Sequence, residues 1–274
     1  MKSALPSKRS DLRTRLISAI AIAVPFLILS YLGNWWFTAI VLIAVLISAY
    51  EFHQLMCAAG FHPSLFANLA TLLAVFLGLR LPTLPILAPA ISLVLMGSLV
   101  WQLRRFQQHS VADWALGFTG GLYLGWTGGH LAEIRELTNG LAWLILTVVT
   151  TWLADSGAYL VGSRIGRHKL APSISPGKTW EGYIGGILFA VLGGASIGYA
   201  SPIGILVGGF GGLLVGALST LGDLVESMFK RQANAKDSGA LIPGHGGVFD
   251  RIDSMLWSGV IIYYLAYVIA HPPF

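Results

Sequence analysis

This sequence is short of charge. Charged residues fill 11% of its 274 positions, where a soluble domain carries about 25%. The chain therefore lacks the residues to clothe an ordinary water-facing surface. Cysteine is nearly absent as well, with Cys57 the single one. One thiol excludes an intrachain disulfide and any metal site built on several cysteines, and Cys57 reads as a small apolar filler. Hydrophobic residues take up the room, at 55% of the chain. They gather in runs of about 18 to 21 residues, the length a helix needs to cross roughly 30 Å of hydrocarbon.

The expected fold is an all-α polytopic integral membrane protein with about nine transmembrane helices and a cytoplasmic N-terminus. The candidate spans are 16–33, 35–52, 65–79, 84–101, 111–131, 141–161, 183–200, 203–221 and 254–270. The third is short, and Pro85 and Pro89 weaken the fourth, which leaves eight spans open. The first follows a basic N-terminus, as a secretory signal would. It is long for a signal's apolar core and lacks a convincing small-residue cleavage site, so it reads as a retained helix.

The placement of lysine and arginine supports nine. With that count, fifteen of the seventeen fall on the cytoplasmic side: Lys2, Lys8, Arg9, Arg13, Arg15, Arg104, Arg105, Arg164, Arg167, Lys169, Lys178, Lys230, Arg231, Lys236 and Arg251. Only Arg80 and Arg135 face the other side. Such asymmetry is the positive-inside bias, and the net charge of +5 is then a basic cytoplasmic face suited to anionic headgroups or nucleotides.

Two regions differ in character. Residues 1–140 read as a transmembrane scaffold, and 141–274 as a catalytic transmembrane region with cytoplasmic loops 162–182 and 222–253. Glycines recur every fourth residue at Gly117, Gly121, Gly125 and Gly129, and again at Gly204, Gly208, Gly212 and Gly216. That spacing lines one helix face and lets two backbones approach closely. It serves packing within the chain, with a homodimer as the other possible use.

Chemistry concentrates after residue 141. Asp155 lies inside the sixth span, where an acid is costly without a partner or water. The loop after it holds Arg164, Arg167, His168, Lys169 and Lys178. Its Gly177-Lys178-Thr179 fragment is no P-loop, because Pro172 stands where that motif needs a glycine. Asp223 and Glu226 are three apart at the end of the eighth span, and Asp250 and Asp253 three apart at the start of the ninth. Residues three apart share a helix face, so each pair can aim oxygens at one point, as a hard divalent cation requires. Between the pairs stand Lys230, Arg231, Lys236, Asp237 and Pro243-Gly244-His245-Gly246-Gly247, with Arg251 just beyond. Glycines there can turn backbone N–H groups toward an anion. Cations and N–H groups holding phosphates beside a metal are the arrangement that phosphoryl chemistry uses.

The run SMFKRQANAKDSGALIPGHGGVFDRID, from Ser227 to Asp253, resembles the signature of the phosphatidate cytidylyltransferases, or CDP-diacylglycerol synthases. The upstream segments DSGAYLVGSRIGRHKL and SPGKTWEG look similar too, with Ser156 and Gly177 departing mildly. The motif-bearing resemblance runs from Asp155 to Asp253, and the N-terminal half is alike only in hydropathy. It implies Mg²⁺-dependent transfer of CMP from CTP to phosphatidate in the membrane, with no nucleic acid involved. It further implies Asp223, Asp250 and Asp253 as metal ligands and Glu226 in or near that shell. Lys230, Arg231, Lys236 and Arg251 would hold phosphates, with Asp237 and His245 among the catalytic set. Gly244, Gly246 and Gly247 would supply backbone donors, and Asp155 and Lys178 the other wall. A secondary transporter is the rival from another class, but the matched polar interruptions it needs in both halves are missing. The acid-rich DG…AR pattern of the CDP-alcohol phosphotransferases is absent as well.

Overall fold

The structure, a computed structural model, describes residues 21, 23–104, 106, 110–244 and 246–271. Part of the first expected span, the basic residues before it, Arg105 and His245 lie outside the described residues. Nine α-helices run through the rest. They are α1 (Ala23–Leu32), α2 (Asn34–Ala58), α3 (Leu65–Arg80), α4 (Leu87–Leu103), α5 (Ser110–Glu133), α6 (Gly140–Ile165), α7 (Trp180–Tyr199), α8 (Ile205–Gln232) and α9 (Phe249–Ala270). Each expected span coincides with one of them. Among the described residues, α2, α6, α7, α8 and α9 are long and apolar enough to cross a membrane, while α1, α3 and α4 are shorter apolar helices. Helices suit this sequence because lipid offers backbone groups no partners, so a spanning segment satisfies them within itself.

Two helices outrun their apolar stretches, and both differences matter. The eighth span was expected to end at 221, yet α8 continues to Gln232. The ninth was expected to begin at 254, yet α9 starts at Phe249. Hydropathy marks where a chain is greasy, whereas the hydrogen-bond ladder continues through polar residues that find partners. Asp223, Glu226, Lys230, Asp250 and Asp253 therefore all sit on helices. A second difference is a small antiparallel hairpin inside loop 162–182, with β1 (Lys169–Ala171) paired to β2 (Ser175–Thr179). Thr179 then caps α7, its hydroxyl accepting from Gly182 N at 3.2 Å.

Water-driven burial does little between helices in lipid, so close packing carries the fold. The glycine stripes show how. Along α5, Gly117, Gly121, Gly125 and Gly129 lie against α3, and a Cβ on Gly125 would come within 2.7 Å of the Leu72 carbonyl oxygen. Along α8, Gly208 meets Gly194 and Gly198 of α7, Gly212 meets Ala190, and a Cβ on Gly216 would sit 2.8 Å from Ile187 Cα. Gly204 does not belong to that face. It precedes α8 at φ +86° with nothing near its missing Cβ, a left-handed position that favours glycine. Both stripes are thus covered within the chain, and neither is free to seat a second copy. This is the within-chain packing expected of the spacing, and these faces leave no surface for the alternative, a homodimer.

The core threads between helices through fully buried Phe37, Phe76, Leu72, Leu124, Leu146, Phe249, Leu256 and Ile262. Large apolar side chains such as Leu93, Tyr199 and Leu206 point outward, as a lipid-facing belt requires. Ion pairs among the described residues gather at the two ends of the bundle. At one end Arg80 pairs with Glu133 and Glu136 at 3.7 and 3.1 Å, and Arg135 donates to the carbonyls of Ser30 and Tyr31. The two cations assigned to the same side by sequence thus meet the same end. The other end holds the acids.

Candidate active site

The centre of the acidic end is a group of three carboxylates. One oxygen from each of Asp223, Glu226 and Asp253 lies within 4.8 Å of the other two. Asp223 and Glu226 share a face of α8 because they are three apart, and Asp253 comes from the facing turn of α9. Gly222 lets these turns approach, since a Cβ there would sit 2.8 Å from the Asp253 carbonyl oxygen and 2.6 Å from the Trp257 ring. Glu226 is completely buried. Two full charges 4.8 Å apart repel by about 3.5 kcal/mol at an effective dielectric near 20, so the group calls for positive charge.

Two lysines supply part of it. Lys178, on β2, places Nζ 2.8 Å from Asp223 Oδ2. Lys230, one helical turn beyond Glu226, sits 2.6 Å from Glu226 Oε2 and 2.7 Å from Asp250 Oδ1. Asp155 on α6 stands within electrostatic reach of Asp223 and Lys178 and of Asp253. The acids still outnumber the cations at the centre. Three convergent oxygens with surplus negative charge are what a hard divalent cation takes from protein, so Asp223, Glu226 and Asp253 fit one.

Asp250, the other metal ligand expected, stands in the first turn of α9. It is not a member of the three-acid group, and both its oxygens are engaged. Oδ1 receives Lys230, while Oδ2 accepts from Ser238 N at 2.8 Å, Ser238 Oγ at 2.9 Å and Gly247 N at 2.9 Å. The cause is axial position. Asp250 lies one turn before Asp253, about 4.5 Å along the helix, level with the loop rather than with Asp223. Glu226, expected in or near the metal shell, takes the third place in the carboxylate group.

The glycine loop also differs from expectation. Gly244 and Gly246 adopt φ +76° and +82°, and Ile242 N donates to Gly246 O at 2.9 Å, which folds the segment back on itself. Gly247, expected to present its N–H to substrate, turns it inward onto Asp250. Arg231 ties the stretch just after α8 to the turn of the hairpin, donating to the carbonyls of Ile174 and Ala235 at 3.0 Å each. Lys236, Asp237 and Arg251 are exposed around the same mouth.

Sequence matching agrees with the chemistry that this geometry allows. Residues 13–269 match the profile of the cytidylyltransferase family. The chain belongs to that family. Among its relatives, a phosphatidate cytidylyltransferase of Synechocystis is 34% identical over 91% of this chain and 94% of its own. That of Brucella suis is 34% identical over 96% of each, and that of Haemophilus influenzae is 52% identical over 43% of each. The family's region therefore takes in the N-terminal half, where the resemblance read from motifs did not reach.

One member of the site comes from that half. Glu51 of α2 is buried and reaches the start of α9, accepting from Val248 N at 3.0 Å and Phe249 N at 2.8 Å, and from Ser238 Oγ at 3.2 Å. Sequence reasoning passed over it as part of an apolar span. The available signal was its charge, since a lone acid in such a run is costly without a partner.

Proposed function

We propose that this chain is a phosphatidate cytidylyltransferase, which transfers CMP from CTP to phosphatidate and yields CDP-diacylglycerol and pyrophosphate. The observation that carries the reading is the carboxylate group of Asp223, Glu226 and Asp253 flanked by Lys178 and Lys230, in a chain whose relatives bear that name. A phosphatidate oxygen forms a new bond to the α-phosphorus of CTP, and the bond from that phosphorus to the bridging oxygen breaks as pyrophosphate leaves. The phosphate monoester is already anionic near neutral pH, so no strong base is needed. The difficulty is repulsion between two polyanions. A bound divalent cation, Mg²⁺ in this reading, supplies charge neutralisation where phosphates meet the acids.

The chain's own residues do the rest. Asp223, Glu226 and Asp253 hold the cation. Lys178 and Lys230, drawn toward phosphate oxygens, stabilise charge on the leaving group. Exposed Lys236 and Arg251, with Arg231 at the hairpin turn, attract the triphosphate from water. Asp250 keeps Lys230 in place, and Asp155 adds negative charge beside Lys178 and Asp223. Lipid extraction would cost about 0.8 kcal/mol per CH₂, so phosphatidate stays in the leaflet and reacts at the interface. The positive-inside bias supports a cytoplasmic mouth. A homodimer through the glycine stripes forms no part of this reading, since both stripes are covered within the chain.

The test is purified protein in detergent with phosphatidate, labelled CTP and Mg²⁺. CDP-lipid should form, and Asp223→Asn and Asp253→Asn should each lower turnover by at least about a hundredfold, as loss of electrostatic stabilisation does. Near-normal rates in either variant would refute the carboxylate assignment.

A further inference from the structure

We propose that Glu51 is a positioning residue for the carboxylate group, setting from α2 the height at which α9 presents Asp253. The inference rests on the reading that Asp223, Glu226 and Asp253 form the reacting site.

The start of α9 cannot hold itself. Leading N–H groups of a helix have no partners within it, and Val248, at the cap position, offers no side-chain bond. Asp250 takes the N–H of Gly247, and Glu51 takes those of Val248 and Phe249. The cap is thus supplied by a helix almost two hundred residues earlier in the chain. A carboxylate at a helix N-terminus is also favoured by the backbone dipoles.

The surroundings are shaped around that carboxylate. A Cβ on Gly239 or on Gly247 would each come within 2.6 Å of a Glu51 oxygen, so both glycines leave it room. Ser238 Oγ lies 3.2 Å from Glu51 Oε2 and 2.9 Å from Asp250 Oδ2, joining the Glu51 clamp to the acid that pairs with Lys230. The next residue, Phe52, packs edge-on against Phe229 of α8 with ring centroids 5.1 Å apart. One turn of α2 therefore touches both helices that carry the acids. Asp253 lies about one turn beyond the clamped N–H groups, so its height relative to Asp223 and Glu226 follows the clamp.

The experiment uses full-length protein in detergent and compares Glu51→Gln, Glu51→Ala and Gly239→Ala with a control, Glu136→Gln, at the opposite end of the bundle. The glutamine keeps the volume but replaces one acceptor oxygen with a donor facing N–H groups. The Gly239→Ala methyl pushes the carboxylate aside without removing it. Turnover is scored per folded molecule, from the monodisperse fraction on size exclusion. A reactive group displaced by about 1 Å loses about a hundredfold in rate. Both Glu51 variants should lose kcat on that scale, while KM for CTP moves less than about threefold, because, of the cations that meet the triphosphate, Lys178, Arg231 and Lys236 lie outside α9 and only Arg251 rides on it. Glu136→Gln should leave kcat unchanged. If Glu51→Ala fails to accumulate, Glu51→Gln decides, and if that fails too, Gly239→Ala decides. Full kcat per folded molecule in the deciding variant overturns the inference, as does a loss confined to folded yield. Asp223→Asn run alongside separates the two claims. If it retains turnover, the carboxylate reading has failed. If it is inactive while the Glu51 variants are normal, only the positioning role has failed.

Discussion

Adding one methyl group at Gly222 should disable the site without altering any charged side chain. The new Cβ of Gly222→Ala would lie 2.8 Å from the Asp253 carbonyl oxygen and 2.6 Å from the Trp257 ring, where ordinary contact begins at 3.4 Å. Relief therefore requires a retreat of about 0.6 Å (3.4 − 2.8) from the backbone and 0.8 Å (3.4 − 2.6) from the ring. The tryptophan is not free to swing, because its Nε1 donates to Tyr123 OH at 2.9 Å. The backbone of α9 must give way, and it carries Asp253 with it. Overpacking of this kind costs about 1–3 kcal/mol in stability, and a displacement approaching 1 Å costs about a hundredfold in rate. The assay is kcat at saturating CTP and phosphatidate, scored per folded molecule. Gly97→Ala on α4 is the control, since nothing lies within 4 Å of its missing Cβ. A normal rate in Gly222→Ala would refute the claim that the α8–α9 approach sets the geometry.

Other expectations follow from neighbouring contacts. Asp250→Asn should lower turnover by about tenfold or more through the loss of its charged bond to Lys230 yet keep divalent-ion binding, read by Mn²⁺ paramagnetic resonance without CTP. Asp253→Asn should lose that binding, and equal Mn²⁺ affinity in the two variants would contradict the division of labour. Lys178→Met should lower kcat/KM for CTP by about tenfold, the equivalent of one charged contact worth about 1.4 kcal/mol, and an unchanged kcat/KM would remove Lys178 from the phosphate site. Arg80→Met should lower thermal stability, by up to about 3 kcal/mol for a mostly buried pair that loses one partner, while kcat stays within about twofold of the unaltered protein. A rate loss without a stability loss would mean the far end of the bundle is coupled to the chemistry.

Much was legible because lipid imposes simple rules. Apolar runs announced the helices, since a backbone in hydrocarbon satisfies itself as a helix, and their positions agree with the observed elements. The acids at 223, 226, 250 and 253 advertised a site because their spacing puts each pair on one helix face. The hairpin at 169–179 was not legible, being too short and polar to carry a periodic signal. The glycine stripes announced close packing but could not name the partner helix. A spacing of four serves a neighbour in the same chain as well as a second copy.

Composition and local spacing by themselves determined that this is a helical membrane protein with a cluster of acids and cations late in the chain, because both follow from interactions within a few residues. Tertiary structure alone decided which acids meet. It grouped Glu226 with Asp223 and Asp253, turned Asp250 onto Lys230 and the loop, and brought Glu51 across the bundle to the start of α9. These outcomes depend on how far α8 and α9 slide past each other and on which face α2 presents. Such quantities are set by packing between segments distant in sequence, where no local pattern reaches.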